Sequence, residues 1–418
     1  MRSLHVGVLL AQPSGFALAS TPPDLFTEMF AASQPTPPRT QAAFPATVNF
    51  AALNANPASI TLELPGAGTF IANRVRFEQR PGGGYHWIGK TLIHDVILTV
   101  NDDIITGFVR GGPDTFSVLT TSHGPGGSAQ SIHRMDASAF PSDVVDEGVA
   151  IKGASPDSPA RTCFGKEFQP IDVLLVYSPQ ALAAAGGDVA VLENELFNAA
   201  ASANVTLQNS NVPTFLSIVG IELAPATLNQ MGNLTDLTNA RNNAQLLQRR
   251  RDLSADVVTY ITSAGQNSGT PYCGVTRTQR RPAAGIAYFG MGYDFYDSAV
   301  QVVTWQCGVQ NNDLSHEIGH NAGLDHNPPV FAVRPPAQNL YPFAYGYEVN
   351  GMFRDDMSGI NATICPDGCP RQMFFSDPAQ TFLSGARGTA SKNNAQVYRQ
   401  SFRCLNTFAE VILSDGFE

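Results

Sequence analysis

The sequence is poor in charged residues and lacks long apolar runs. Only 14% of its 418 residues are Asp, Glu, Lys or Arg, and acidic residues outnumber basic ones by 35 to 25. The resulting net charge of −10 disfavours nucleic acid as a partner, because phosphate contacts need clustered Lys and Arg side chains. No apolar run approaches the roughly 18 residues of a membrane span, so we expect no membrane-spanning helix.

Glycine, proline and cysteine indicate an extracellular protein. The chain has 37 Gly and 29 Pro, as turn-rich secreted proteins do, and its six cysteines are enough for three disulfides in an oxidising compartment. At the N-terminus, Arg2, the apolar stretch 6–11 and Ala17-Leu18-Ala19 follow the order of a secretory signal peptide. A disordered leader is the alternative interpretation. We therefore expect a secreted protein that crosses the periplasm in transit.

The N-terminal third is typical of an antiparallel β domain. Between residues 47 and 121, apolar and polar residues alternate with period two, and the turn at 101–103 joins two such runs as a hairpin. Residues 20–46 are rich in Pro, Thr, Ser and Ala and are interpreted as a linker. The predicted organisation is a signal peptide (1–19), a linker (20–46), a small antiparallel β domain (47–147), a junction (148–169), a catalytic domain (170–406) and a tail (407–418).

The pattern changes after about residue 165, where strands begin to alternate with helices. Such alternation predicts an α+β domain in which helices pack on a mixed sheet. The predicted strands are 171–177, 215–223, 256–261, 285–289 and 299–305, and the predicted helices are 188–208, 237–250 and 391–402.

One motif carries most of the chemistry. Residues 316–326 read His-Glu-Ile-Gly-His-Asn-Ala-Gly-Leu-Asp-His, which matches H-E-x-x-H-x-x-G-x-x-H at every fixed position. Residues four apart share a helix face, so His316 and His320 can bind one Zn²⁺, and positive φ at Gly323 can turn the chain so that His326 becomes the third ligand. Three ligands leave one position open, which is typical of catalytic zinc. The alternative for a bare H-E-x-x-H is a solvated helix face.

The motif resembles the metzincin clan of zinc peptidases, and His-Asn-x-Gly after the glutamate is most similar to its adamalysin (reprolysin) branch and related secreted bacterial peptidases. Val-Tyr-Ser-Pro at 176–179 and Cys-Pro-Arg-Gln-Met-Phe-Phe-Ser-Asp-Pro at 369–378 extend the resemblance. It implies a twisted, mostly parallel sheet above a cleft, the zinc helix beneath it and an irregular lower subdomain. It also implies a zinc endopeptidase in which Glu317 is the general base that activates water.

The sequence departs from this family after the third histidine. Asn327 stands where adamalysins have Asp. The family also has a Met-turn, a methionine beneath the zinc, for which Met352, Met357 and Met373 are candidates. We choose Met357 because it precedes the Cys-Pro-Arg run as the family's turn does; ordinary core packing is the alternative.

Six cysteines permit 15 pairings, and spacing alone does not choose among them. The resemblance implies a Cys273–Cys307 bridge. Cys163, near the predicted domain junction, is either a disulfide partner or a thiolate that caps the zinc in a zymogen.

Several functions stay open at this point. The β domain is interpreted as an inhibitory propeptide, with a permanent binding module as the alternative. The whole chain is interpreted as a monomeric zinc endopeptidase acting on proteins or peptides; the alternatives are a cell-wall peptide amidase and a catalytically silent zinc-containing adhesion protein. The S1′ pocket is expected within 357–375. Asp355, Asp356 and Asp367 could bind Ca²⁺, although solvated loop carboxylates are the commoner explanation.

Overall fold

The fold is described from a computed structural model. The structure describes residues 21–32, 37–141, 144–146, 165–267, 269–279, 299–328, 339–360, 365 and 368–409. Within these ranges no helix is long and apolar enough to cross a membrane. The predicted signal peptide, the strand predicted at 285–289 and most of the tail lie outside the described residues.

The N-terminal region forms one antiparallel sheet of nine strands in the order β1-β2-β9-β8-β7-β6-β5-β4-β3. Its strands are β1 Phe26–Met29, β2 Thr40–Val48, β3 Ser59–Leu64, β4 Gly68–Gln79, β5 Tyr85–Lys90, β6 Asp95–Asn101, β7 Ile104–Gly111, β8 Asp114–Gly124 and β9 Gly127–Met135. The linker predicted at 20–46 is therefore wrong in part. β1 and the first residues of β2 lie within it, because β2 pairs along β9 and buries Ala43 and Ala46 despite its unremarkable composition.

The two faces of this sheet are both covered around the β6–β7 hairpin. Asp102 takes a φ of 53° in the two-residue turn, as hairpin turns of this kind require. Leu98 faces the core of the sheet itself, whereas Ile97 and Phe108 pack on the other face against Val205 of the second region. This double burial explains why β6 is apolar at successive positions instead of alternating strictly.

The second region is built on a six-stranded sheet in the order β10-β16-β17-β13-β11-β12. Only the β16–β17 pair is antiparallel, so the sheet is mixed and mostly parallel. Its strands are β10 Val144–Asp146, β11 Pro170–Tyr177, β12 Phe215–Leu223, β13 Val257–Thr262, β16 Gly274–Arg277 and β17 Val300–Thr304. Three short hairpins accompany it: β14 Gln266–Asn267 with β15 Thr270–Pro271, β18 Glu348–Val349 with β19 Phe353–Arg354, and β20 Thr381–Phe382 with β21 Gly385–Ala386.

Eight α-helices complete the described ranges: α1 Phe50–Asn54, α2 Pro179–Ala184, α3 Val189–Asn209, α4 Thr235–Asn242, α5 Ala244–Asp252, α6 Trp305–Gln310, α7 Asp313–Asn321 and α8 Asn394–Leu405. The single helix predicted at 237–250 is two helices. Asn243 ends α4 with extended dihedrals, and its side chain accepts a hydrogen bond from the Leu246 amide, which caps α5.

The six-stranded sheet has an apolar layer on each face. One layer joins β11 to α3, α7 and α8 through buried residues such as Leu175, Leu196 and Phe402. The other covers the opposite face with residues from α4 and α5. The layer containing α7 determines where the chemistry lies, because α7 carries two of the motif's histidines.

Candidate metal centre

Helix α7 is fixed at its beginning by buried polar contacts. Asn312 precedes it with a φ of 64°, and its side-chain amide donates to Asp356 Oδ1 at 2.8 Å. Asp313, in the first turn, forms a fully buried ion pair with Arg371. An acidic residue there also suits the positive end of the helix dipole. The helix therefore holds a defined position beneath the sheet.

The three motif histidines converge on one point. His316 and His320 lie one turn apart on α7, and Gly323 turns the chain after it with a φ of +90°, as predicted. His326 then returns, so that the three Nε2 atoms lie 2.9 Å (His316 to His326), 3.1 Å (His316 to His320) and 3.1 Å (His320 to His326) apart. All three side chains are at most 1% exposed.

The other ring nitrogens fix the protonation state of two of these histidines. His316 Nδ1 lies 2.7 Å from the Asp356 carbonyl oxygen, and His320 Nδ1 lies 2.8 Å from the Leu324 carbonyl oxygen. A carbonyl only accepts, so each Nδ1 carries the proton and each Nε2 presents a lone pair. Burial and, next, Arg371 lower the pKa of His316 well below its ordinary value, which keeps the ring neutral.

This arrangement fits a metal ion. Lone pairs about 3 Å apart repel unless a cation lies between them, and His316 and His320 each direct one at the shared point. The centre of such a triangle is about 1.75 Å from each corner (the mean edge divided by √3), slightly less than the Zn–N distance of about 2.0–2.1 Å, so an ion fits just above the plane. The residues predicted as ligands are thus brought together in a form suited to bind one ion.

Glu317 is buried against the edge of the sheet. A Cβ at Gly274 would collide with its carboxylate, so the side chain packs directly on the backbone of β16. Just after this strand, Thr278 Oγ1 lies 3.3 Å from His320 Nδ1. The contact between Gly274 and Glu317 was missed by the sequence reasoning, although the resemblance implied a bridge at the neighbouring Cys273.

Met357 lies directly beneath the helix that carries the first two histidines. It is the third residue of a tight turn closed by the Ser358 amide, which donates to the Asp355 carbonyl oxygen at 3.2 Å. A Cβ at Gly319, between His316 and His320, would lie 2.7 Å from Met357 Sδ. This is the position expected of a Met-turn, whereas Met352 is 39% exposed and Met373 packs against the N-terminal sheet.

Asn327 takes up the position where the family has an aspartate. Its Oδ1 accepts a hydrogen bond from the Gly359 amide at 2.9 Å, so it ties the chain after His326 to the chain after Met357. An amide oxygen accepts such a bond as a carboxylate oxygen would.

The predicted Cys273–Cys307 bridge is confirmed, and a second bridge joins Cys365 to Cys369. Cys404 is also disulfide-bonded. Cys163 lies outside the described residues, where it is the one remaining cysteine of the sequence.

Only two groups of potential ligand side chains come close together within the described ranges. One is the histidine triad; the other contains Cys273 and Cys307, which are bonded to each other. Neither of the two groups contains Asp355 or Asp356, and Asp367 lies outside the described residues. The calcium site considered from the sequence thus gains no support.

Comparison with known proteins points in one direction. Residues 194–327 match the model of the family described as "Metallo-peptidase family M12B Reprolysin-like". The peptidyl-Asp metalloendopeptidase of Stenotrophomonas maltophilia (strain R551-3) is 25% identical over 361 residues, 78% of this chain and 77% of that protein. Its counterpart in Xanthomonas campestris pv. campestris is 26% identical, with 81% and 79% covered. A solved "Structure of a chaperone-substrate complex" is 15% identical and covers 72% of this chain and 40% of that one. Its TM-score is 0.43, so we base no conclusion on this likeness.

Proposed function

The chain is a metzincin-like metalloendopeptidase, and we propose that His316, His320 and His326 hold its catalytic zinc ion beside a general base, Glu317. The observation that carries the proposal is the convergence of three buried imidazoles, with Nε2 atoms 2.9 to 3.1 Å apart. Three nitrogen ligands with a fourth position open to solvent or substrate are the donor set of a hydrolytic zinc.

The chemistry divides between the ion and the protein. A zinc ion in such a site supplies Lewis acidity, which acidifies water and polarises the scissile carbonyl. Glu317 follows His316 on α7 and packs on Gly274, and this place in the sequence next to a ligand supports a role as general base rather than as a ligand. From there Glu317 takes the proton of the attacking water and returns it to the leaving amine. Met357 supports the helix from below, between the first two ligands.

We propose that the N-terminal sheet is a propeptide. It is held against the catalytic region by polar contacts that include Arg110 Nη2 to the Gln310 carbonyl oxygen at 3.0 Å and Asn198 Nδ2 to the Thr106 carbonyl oxygen at 3.0 Å. The chain that follows it forms β10, which adds to β16 in the parallel direction. Extended peptides bind sheet edges by adding a strand, and β10 takes that edge of β16.

The maturation of the secreted protein tests this part. We propose secretion because the described disulfides suit an oxidising compartment. N-terminal sequencing of the protein recovered outside the cell should give a start between Asp146 and Pro170. A secreted protein that still begins near residue 20 would instead make the sheet a permanent binding module.

We further propose that the substrates are proteins or peptides cleaved at aspartate. The support is the name of the two relatives, which match over more than three quarters of their length. A peptide library profiled by mass spectrometry, with and without chelator, tests substrate and metal together. Chelator-sensitive cuts at aspartyl bonds are expected, restored by added zinc. Cleavage confined to cell-wall peptides would favour an amidase. The absence of any cleavage would favour a silent binding protein.

A further inference from the structure

The third ligand is held by a residue about seventy positions further along the chain. Asn394, the first residue of α8, is fully buried, and its Nδ2 donates to the carbonyl oxygen of Asp325 at 3.0 Å. The Gly346 amide donates to the same oxygen at 3.0 Å. Asp325 immediately precedes His326, and its own Oδ1 accepts from the His326 amide at 2.8 Å. The backbone that presents His326 is therefore fixed from α8.

Ser376 connects this helix to the rest of the site. Its Oγ accepts a hydrogen bond from the backbone N–H of Asn394 at 2.9 Å and donates one to the Tyr345 carbonyl oxygen at 2.7 Å. Its carbonyl oxygen accepts the Ala395 amide at 3.0 Å. Two amides at the beginning of α8 thus find their partners on one residue, which lies in the Phe-Phe-Ser-Asp-Pro run that the sequence shares with the family.

Asp355 completes the connection to the methionine turn. Its Oδ2 accepts the Ser376 amide at 2.8 Å, and its Oδ1 accepts the Ser358 hydroxyl at 2.6 Å. Both oxygens of a fully buried carboxylate are therefore engaged across the turn that carries Met357. The next residue, Asp356, offers its carbonyl oxygen to His316 Nδ1.

We propose that Asn394, Ser376 and Asp355 are positioning residues of the metal centre, which hold the His326 segment and the Met357 turn in register and make helix α8 part of the site. The inference rests on the proposed function, because it assumes that the triad binds zinc. Hydrogen bonds of this kind orient ligands, and their loss typically lowers metal affinity about 10- to 100-fold.

Neighbouring asparagines provide a matched test. Asn393 caps α8 by accepting the Gln396 amide at 3.2 Å, but its side chain makes no contact with Asp325 among the described hydrogen bonds. Asn394→Asp keeps the size of the side chain and removes the donor, whereas Asn393→Ala weakens the helix cap. Zinc affinity of the full-length chain is measured by competition with a chromophoric chelator, and stability by thermal unfolding of the metal-free protein.

We expect Asn394→Asp and Asn394→Ala to lower zinc affinity about 10- to 100-fold and Asn393→Ala to leave it within about twofold, even where the cap variant unfolds at a lower temperature. Asp355→Asn, which nearly preserves volume, should behave like the Asn394 variants and remains available if those do not fold. Equal losses of zinc affinity in the Asn393 and Asn394 variants, or no loss in either, would overturn this inference but leave the proposed function standing. A wild-type chain that binds no zinc would overturn the proposed function together with it.

Discussion

Buried histidines occur in two regions of this molecule, and their ring nitrogens face different partners in each. In the nine-stranded sheet, His86, His94 and His133 each have a hydroxyl neighbour: Thr99 Oγ1 at 2.9 Å, Thr91 Oγ1 at 3.1 Å and Ser131 Oγ at 2.6 Å. In the motif, three histidines face one another through the same ring nitrogen. All six are buried.

The difference shows that burial does not make a histidine a ligand. A hydroxyl can donate or accept, so it can pair with one nitrogen of a neutral ring in either tautomer. Three acceptor nitrogens aimed at one point have no such local solution and fit a cation. Spacing along the chain differs in the same way, because the sheet histidines are isolated positions, whereas His316 and His320 lie one turn apart on a helix.

The sharpest way to break the comparison is to remove one histidine from each region. His326→Ala should lose the bound zinc and, with it, several kcal/mol of transition-state stabilisation, on the order of 10³-fold or more in rate. His133→Ala, equally buried, should keep one zinc per chain and its activity. Metal analysis of the purified variants, together with a peptide-cleavage assay, checks both. Equal metal loss in the two variants would mean that the motif is not the binding site.

Two of the buried glutamates, Glu317 and Glu195, extend the comparison. Glu317→Gln should retain zinc and lower kcat on the order of 10²- to 10⁴-fold, the range of general-base catalysis. Glu195, 3% exposed, accepts the Trp305 indole N–H at 2.6 Å, and Glu195→Gln preserves that acceptor and should leave kcat nearly unchanged. Substantial cleavage by the zinc-loaded Glu317 variant would remove Glu317 from the mechanism.

The parts of the site that the sequence predicted are local. His316, His320 and Glu317 follow from one helical repeat, and Gly323 from the need for positive φ at the helix end. Asn394 and Gly274 escaped prediction because they lie far from the motif in the sequence. Asn394 is 68 positions after His326 (394 − 326), and Gly274 is 42 positions before His316 (316 − 274). A hydrogen bond between distant segments leaves no periodic signal in either one.

The fold was predictable to a similar limit. Strands with strong apolar patterns, such as Phe215–Leu223, have the predicted bounds. The segment 20–46 was misassigned because β1 and β2 depend on pairing within the sheet, and pairing is not encoded in the composition of one strand. The proposed domain limits stay a prediction.

A smaller effect tests the contact between the helix and the methionine turn. In Gly319→Ala, the added methyl group would meet Met357 Sδ, so we expect a loss of about 1–3 kcal/mol in the free energy of unfolding. Combining it with Met357→Ala should cost less than the sum of the two single losses, because the clash is absent from the double variant. Gly124→Ala, where nothing lies within 4 Å, serves as the control. Additive losses in the double variant, measured by urea unfolding, would show that the two residues do not touch.

The smallest effect, counted for each histidine, is the change in the free energy of unfolding with pH. Burial lowers the pKa of His86 to about 3 and of His133 to about 4, below the ordinary 6.5. The unfolded chain therefore binds protons first as pH falls, and the stability contributed above pH 6.5 is lost towards pH 4, by up to about 1.4 kcal/mol per pH unit for each ring. Urea unfolding between pH 7.5 and 5, followed by Trp87 fluorescence in a Trp305→Phe background, should show this slope. His133→Gln should reduce it, and an unchanged slope would contradict the assigned burial.

The central claim is that His316, His320 and His326 bind one zinc ion through Nε2. Anomalous diffraction from crystals of the zinc-loaded protein, recorded on both sides of the zinc absorption edge, tests it most directly. We predict one strong peak, about 2.0–2.1 Å from each of the three nitrogens and beside the Glu317 carboxylate. A zinc peak elsewhere, or one bound by fewer than these three rings, would contradict the account.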